Sequence, residues 1–342
     1  MEILRLPLRP EKILVAPLNW GLGHATRCVA VIRALQEAFP EAEILLASDG
    51  TAGKWLTQRF PHLQYYEIPG YKVRYPASDR LVWKMARSAP RLSAAIRKEH
   101  QWLNSIIRQQ HIDLVISDNR YGLWSRNCCS VLITHQLQLL PAGRASRPLM
   151  WLATRIIRRF IRRFDQCWVP DFAEYPGLAG ILSHPPGRLP QNLRYVGPLS
   201  RFGILSQITP PSEVPDVFCV ISGPEPQRSI LLSKVIQNLL TTAATAVVVA
   251  GTDDISAYRD LPFRITVYPD LPDHLMAGYL KFSIRVISRS GYSTIMDLHF
   301  TGGNPLFIPT PGQTEQEYLA KLHKQLGKAE WIRQRELDQR MF

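Results

Sequence analysis

The chain has 342 residues, of which 46% are hydrophobic and 20% charged, a globular balance that excludes a disordered polymer. Its length suits two domains better than one core. The net charge of +13 is lopsided: residues 1–200 hold 27 Lys+Arg against 14 Asp+Glu, while residues 201–342 hold 14 of each, so an anionic partner is implied for the first part only.

The opening MEILRLPLRPEK is not expected to be a secretory signal, because Arg5, Pro7 and Arg9 break its apolar stretch. No apolar run approaches the ~20 residues that span a bilayer. Lys12–Pro17 reads as a buried strand, followed by Asn19-Trp20-Gly21-Leu22-Gly23-His24-Ala25-Thr26-Arg27 and a helix over 26–39. A strand that runs through glycines into a helix is a standard phosphate loop. Here the third glycine of the dinucleotide fingerprint is missing and a histidine is present. Further strands are expected at 43–48, 64–68, 112–117, 130–134 and 166–169, with helices at 52–60, 78–110 and 151–164. This alternation predicts a parallel sheet with helices on both faces. The helix over 151–164 carries Arg155, Arg158, Arg159, Arg162 and Arg163 on one face. That face is either solvated or applied to an anionic membrane, with Trp83, Trp102 and Trp151 as candidate interface anchors. The five cysteines form no C-x-x-C pair. Reduced thiols in a cytosolic protein, with no zinc site, are expected.

Proline and glycine crowd residues 176–216, so a domain boundary is placed near 200–214, dividing 1–200 from 201–342. Alternation then resumes, with strands at 217–222, 246–250, 265–267, 286–288 and 305–308 and helices at 229–241, 293–300 and 315–326. Three loops follow strands here. The first holds Ser222 and Gly223, with Arg228 and Ser229 opening the next helix; the plainer reading is a tight turn. The second is Ile287–Leu298, in which Ser290-Gly291 precede a helix bearing Asp297. That carboxylate is suited to accept ribose hydroxyls at roughly 1.5–3 kcal/mol each, though a solvated helix acid is the plainer reading. The third runs from Ile308 through Gln313, Glu315 and Gln316, whose donors and acceptors suit sugar hydroxyls; Thr314 with Glu317 also fits a capping box. All three loops fall at strand carboxyl ends, where such sheets bind ligands. A nucleotide-sugar site is the expectation.

GLGHATR, ISRSGYSTIMDL and PTPGQTEQEYLA, in this order and spacing, resemble the GT-B glycosyltransferases. The closest likeness is to family 28, which includes the lipid II-forming N-acetylglucosaminyltransferase and the plastid diacylglycerol galactosyltransferases. The resemblance implies an α/β protein of two Rossmann-like, doubly wound domains facing a cleft. The N-terminal domain would take the acceptor and the C-terminal domain the nucleotide sugar, UDP-linked by family default. By resemblance, Asp297 holds the ribose, and Glu315 and Gln316 read the hexose. Ser222 and Gly223 lie near the diphosphate, Arg201 approaches the phosphates, and Tyr268-Pro269-Asp270 meets the base. Leu319 departs from the asparagine expected there. A helix over Glu330–Phe342 is the candidate for crossing back to the first domain.

In this reading Asn19, Gly21 and Gly23 face the acceptor. His24, at a helix start that disfavours imidazolium, is the candidate general base, and Asp118 is its candidate orienter. A capping or phosphate-contact histidine and a turn aspartate are the plainer alternatives. No D-x-D lies where a metal would be held, so metal-independent transfer is expected, without a cofactor. Inversion at the anomeric carbon follows by analogy of fold. The basic helix points to a membrane-surface or lipid-linked acceptor, and to a cytoplasmic protein peripheral on the inner face of the plasma membrane. The competing readings are a sugar-nucleotide epimerase of the same architecture, an NAD-dependent dehydrogenase using Asp49, and a nucleic-acid-binding protein. No nucleic-acid-binding motif or stacking platform is read, so nucleic acid is not expected as a partner.

Overall fold

The computed structural model describes residues 9–71 and 81–339, with the backbone alone described at 81–89 and 338–339. The chain forms two compact units, the first ending at Leu199 and the second opening at Ser200.

The first unit is built on seven parallel strands: β1 (Lys12–Pro17), β2 (Glu43–Ser48), β3 (Gln64–Glu67), β4 (Leu114–Asp118), β5 (Cys129–Ile133), β6 (Gln166–Val169) and β7 (Leu193–Tyr195). Their order is β3-β2-β1-β4-β5-β6-β7, the doubly wound arrangement in which the strand order reverses between β1 and β4. Four helices lie between them: α1 (Leu22–Ala38), α2 (Gly50–Arg59), α3 (Leu81–Gln110) and α4 (Arg147–Ile161). Ile13, Leu14, Val15 and Ala16 are wholly buried, as expected for a central strand covered on both faces. Leu14 and Ala16 pack with Leu45, Val115 and Leu103 of α3. The register pairs Ala16 with Ser117 and Pro17 with Asp118, so Asp118 ends β4 beside the exit of β1.

The second unit has six parallel strands: β8 (Val217–Val220), β9 (Ala246–Val249), β10 (Ile265–Tyr268), β11 (Arg285–Ser288), β12 (Pro305–Phe307) and β13 (Glu330–Trp331). Their order is β10-β9-β8-β11-β12-β13, and the helices are α5 (Gln227–Leu240), α6 (Asp273–Phe282), α7 (Tyr292–Thr301) and α8 (Thr314–Gln325). Leu231, Val235 and Leu239 of α5 cover one face with Val248 and Ile287. Met276 and Leu280 of α6 cover the other with Phe218 and Val286.

Several expected bounds shift. Helix α1 begins four residues before the expected Thr26, because Gly21 takes φ +84° as its N-cap, a conformation that suits glycine. Helix α4 ends at Ile161, so Arg162 caps it and Arg163 lies past its end. The expected capping box at Thr314 is not formed: Gln313 is the N-cap of α8 and makes no side-chain cap bond. The expected terminal helix from Glu330 is instead strand β13 followed by 3-10 turns over Gln334–Gln339, and its last residues lie outside those described. Strand β7 and helix α6 stand where no element was expected.

Candidate active site

In the first unit the chemistry gathers where β1 and β4 end. The chain leaves β1 through Gly21 and enters α1 with no side-chain cap, so His24 falls in the first helical turn and Arg27 one turn on, on the same face. Both reach Asp118, which is wholly buried. His24 Nδ1 lies 3.1 Å from Asp118 Oδ1. Arg27 donates from Nε to Asp118 Oδ2 at 2.5 Å and from Nη2 to Oδ1, a forked ion pair. Nη2 also lies 2.8 Å from His24 Nδ1. The Cys28 thiol donates to Oδ2 at 3.7 Å.

Burial opposes ionisation of Asp118, but Arg27 and His24 outweigh it and hold the carboxyl well below the usual range. For His24 burial is the largest influence and lowers its basicity; Asp118 raises it, while Arg27 and the nearby His135 lower it further. The result is an imidazole kept neutral near pH 7. Desolvation leads here, rather than the helix end invoked from sequence.

The other residues expected in this unit have varied surroundings. Gly21 is exposed, and Gly23 lies in the first turn of α1, its carbonyl accepting from Thr26 Oγ1 at 3.0 Å. Asn19 bonds the first turn of α2: its Oδ1 accepts from Thr51 Oγ1 at 3.0 Å and from the Ala52 amide at 3.2 Å. Asp49 is ion-paired with the buried Arg120, which also bonds Glu99 at 2.7 Å, so it is already engaged within the fold.

On α4, Arg155, Arg158, Arg159 and Arg162 line one hollow with Trp151, Leu152 and Ile156. Arg158 is half-buried and donates from Nε to the Leu137 carbonyl at 3.1 Å. The outward stripe is Trp151, Leu152, Arg155, Ile156 and Arg159, with Trp151 61% exposed. Arg155 sits 5.0 Å over the Trp151 ring. Arg163 lies over Trp124 and Phe160, and Arg162 is exposed. Trp102 packs against the core; the Trp83 side chain lies outside those described.

In the second unit β8, β11 and β12 are neighbours, and each ends in a loop that opens a helix. Helices α5, α7 and α8 all start without a side-chain bond from the N-cap residue, and each sets the positive end of its dipole at the strand ends. Gly291 is the N-cap of α7, and a Cβ added there would meet nothing within 4 Å. Ser222 is exposed, and Gly223 takes φ +114° near Thr310. Ser290 donates to the Gln316 carbonyl at 2.8 Å, and Gln316 Oε1 accepts the Thr310 amide at 2.8 Å, knitting two of the loops together. Gln313 and Glu315 are half-buried at the start of α8. Glu315 and Glu317 in that first turn repel phosphate but accept hydroxyls well.

Asp297 is half-buried in α7 and accepts from Ser200 Oγ at 2.5 Å. Burial lifts its carboxyl to about 6, against the pull of Arg201 and Ser200; Asp273 adds to the rise. Arg201 is nearly buried and ion-paired with Asp273 at 3.0 Å. Tyr268 ends β10, and its carbonyl accepts the Ala250 amide at 2.8 Å. Arg228 does not stand open to an anion: it donates to Glu225 Oε1 at 2.9 and 2.6 Å and to the Gly251 carbonyl at 2.5 Å.

Two arginines were missed from sequence. Arg27 carries a signal, its i,i+3 spacing from His24. Arg289 carries none, yet it is 1% exposed and donates only to backbone carbonyls of Gln227, Ile308 and Pro309. Its Nε, with Ser288 Oγ and Thr310 Oγ1, has no hydrogen-bond partner. Burial lowers its pKa to about 10, so it remains a cation at neutral pH, set at the strand ends. Among the described residues no group of three or more His, Cys, Asp or Glu is placed to hold a metal ion. No described helix is long and apolar enough to cross a membrane.

The two doubly wound parallel units have the GT-B fold of solved glycosyltransferases, and the family match and the relatives mark the chain as a glycosyltransferase. The chain is family 28-like: residues 265–341 match the glycosyltransferase family 28 C-terminal domain. It is 25% identical over 337 residues to an uncharacterized glycosyltransferase of Methanosarcina mazei, covering 92% of this chain and 84% of that protein. Among solved structures it is similar to MurG of Acinetobacter baumannii, at TM-score 0.55 and 16% identity, over 96% of this chain and 89% of that one. It is also similar to UGT89C1 of Arabidopsis thaliana in complex with UDP-L-rhamnose, at TM-score 0.58 and 12% identity, over 97% and 90%.

Proposed function

We propose that the protein moves a hexosyl group from a nucleotide-diphosphate sugar, UDP-linked, to a hydroxyl of a lipid-linked or membrane-surface acceptor. The observation that carries the donor assignment is the set of helix starts at the ends of three adjacent strands, β8, β11 and β12, with the buried cation Arg289 among them. The residues 222–223 and 290–291, with Arg289, take the diphosphate. The half-buried Asp297 takes the ribose hydroxyls. The acidic and amide groups at 313, 315 and 316 read the hexose, and main chain around Tyr268 meets the base. Arg201 and Arg228 serve this unit through their ion pairs, which shape the loops around the donor.

In the first unit His24 is the base and Asp118 its orienter, with main chain at Gly21 and Gly23 next to the acceptor. In the tautomer that donates Nδ1–H to Asp118 rather than accepting from Arg27 Nη2, Nε2 keeps its lone pair. It takes the proton as the acceptor O–H bond breaks, and the oxygen forms the new bond to the anomeric carbon on the face opposite the leaving group. The old C–O bond breaks, and its electron pair goes to the departing diphosphate. His24 then returns its proton to water. Displacement from the opposite face inverts the anomeric centre. Helix N-termini and arginines stabilise the departing charge, so the step is assigned without a metal.

The acceptor class rests on the α4 stripe, where Trp151, Leu152 and Ile156 alternate with Arg155 and Arg159. Apolar side chains at the headgroup boundary with guanidinium groups beside them suit an anionic leaflet. In this reading the protein acts peripherally on the cytoplasmic face of the membrane. A thermal-shift screen of nucleoside diphosphates tests the donor: UDP is expected to raise the melting temperature more than ADP or GDP. No response to any nucleoside diphosphate or its sugar would remove the reading.

A further inference from the structure

Asp118 is bonded on both carboxylate oxygens, and the residue holding it hardest is not the histidine. Arg27 closes a fork on both carboxylate oxygens, while His24 meets only Oδ1, at 3.1 Å. The same guanidinium nitrogen stands 2.8 Å from the imidazole Nδ1. Both arginine and carboxylate are essentially excluded from water, with side-chain exposures of 2% and 0%. In such surroundings a cation beside a ring nitrogen acts with little screening.

We propose that Arg27 is a positioning residue of the transfer step, which fixes the Asp118 carboxylate in plane for His24 and sets the basicity of His24 by placing a cation beside its Nδ1. This rests on the reading of His24 as the base.

An unpaired carboxylate next to a buried imidazole would favour imidazolium, which cannot accept the acceptor's proton. Arg27 offsets that charge, so His24 is available in its neutral form. The fork also fixes which way Oδ1 faces, and Oδ1 is the atom that must accept Nδ1–H if Nε2 is to keep its lone pair. The groups facing His24 are few and come from three elements. Arg27 and the Cys28 thiol belong to its own helix, Asp118 ends β4, and His135 follows β5. Cys28 is held protonated, by burial first and then by Asp118. His135 acts on His24 in the same direction as Arg27.

Removing the cation raises the midpoint at which His24 gains its proton. Activity that requires neutral His24 is then lost at a higher pH as the solution is acidified.

The experiment measures two quantities on wild type, R27Q and R27K. The first is the His24 ring titration by NMR on the unliganded protein, with the signal assigned by its loss in H24N. The second is kcat against pH with UDP-sugar and acceptor. For R27Q the His24 midpoint and the acid limb of kcat are both expected to move up by about 1 pH unit. R27K keeps a cation but not the fork, so its midpoint is expected to stay near wild type while kcat on the plateau falls about tenfold.

An R27Q midpoint that does not move overturns the proposal, even if activity drops, because a merely structural arginine lowers turnover at every pH alike. If R27Q does not fold, R27K decides: wild-type plateau kcat in R27K overturns the positioning role. A midpoint that moves in R27Q without any shift of the acid limb supports the electrostatic role of Arg27 and rejects His24 as the base, so the two failures are distinguishable.

Discussion

The two units place their polar groups under opposite regimes. In the first, the charges are satisfied by the fold itself: Asp118 is closed in by Arg27, His24 and Cys28, and Arg120 by Asp49, Glu99 and the Pro17 carbonyl. In the second, the equivalent strand ends leave groups unsatisfied. Arg289 has only carbonyls and an unpartnered Nε, and Thr310 and Ser288 keep unpaired hydroxyls. Asp297 is lifted to about 6 by burial. A site that performs a proton transfer benefits from groups already oriented before substrate arrives. A site that must hold a polyanion and its sugar keeps donors in reserve and is less stable empty than it would be if repaired. The comparison predicts that substitutions in the first unit cost turnover or stability, whereas substitutions in the second cost affinity and some of them stabilise the empty protein.

The largest effect is expected at His24. H24N is expected to lower kcat by roughly 10²–10⁴-fold while UDP binding by calorimetry is unchanged; wild-type turnover would remove His24 as the base. Next is Asp118. D118A leaves Arg27 as a buried unpaired cation, which is expected to destabilise the protein by about 3–5 kcal/mol. Chemical denaturation checks this, and a loss under ~1 kcal/mol would show the fork to be weak.

Asp297 tests the other side of the comparison. Its carboxylate is the form that accepts ribose hydroxyls, so UDP affinity is expected to fall as pH drops through about 6, and D297N to weaken UDP by roughly tenfold or more. The linkage runs the opposite way for folding. A carboxyl with a folded value near 6 and an ordinary value of 3.8 binds its proton more tightly when folded, so its contribution to stability is present below about 4 and lost as pH rises through about 6. D297N is therefore expected to raise the melting temperature of the empty protein at pH 8. A lower melting temperature with unchanged UDP affinity would mean that Asp297 is structural.

The smallest effect is expected at the surface stripe. W151D together with R155E is expected to reduce flotation with anionic liposomes several-fold at low salt, leaving UDP binding intact. Wild-type flotation that neither salt nor the substitutions change would show α4 to be simply solvated.

Much of the sheet framework was legible because central parallel strands are continuous apolar runs: Lys12–Pro17, Glu43–Ser48 and Gln166–Val169 have the bounds expected. Short elements at the edges were not. Leu193–Tyr195 and Glu330–Trp331 are too brief and polar to show a period. The start of α1 was misplaced because apolar spacing begins only at Val29, whereas the turn is set by the backbone of Gly21. The proximity of His24 and Asp118 followed from a general rule, that loops at strand carboxyl ends converge. The roles of Arg27, Arg158, Arg228 and Arg289 did not follow, because an arginine in sequence looks the same whether it is solvated, paired or buried. Only the fold decides which carbonyl or carboxylate it meets.

The central claim is that the second unit holds the donor through the ends of β11 and β12. Hydrogen–deuterium exchange with and without UDP tests it most directly. Strongest protection is expected at the amides of residues 288–297 and 310–317. Protection confined to residues 21–27, with those two segments unchanged, would contradict the account.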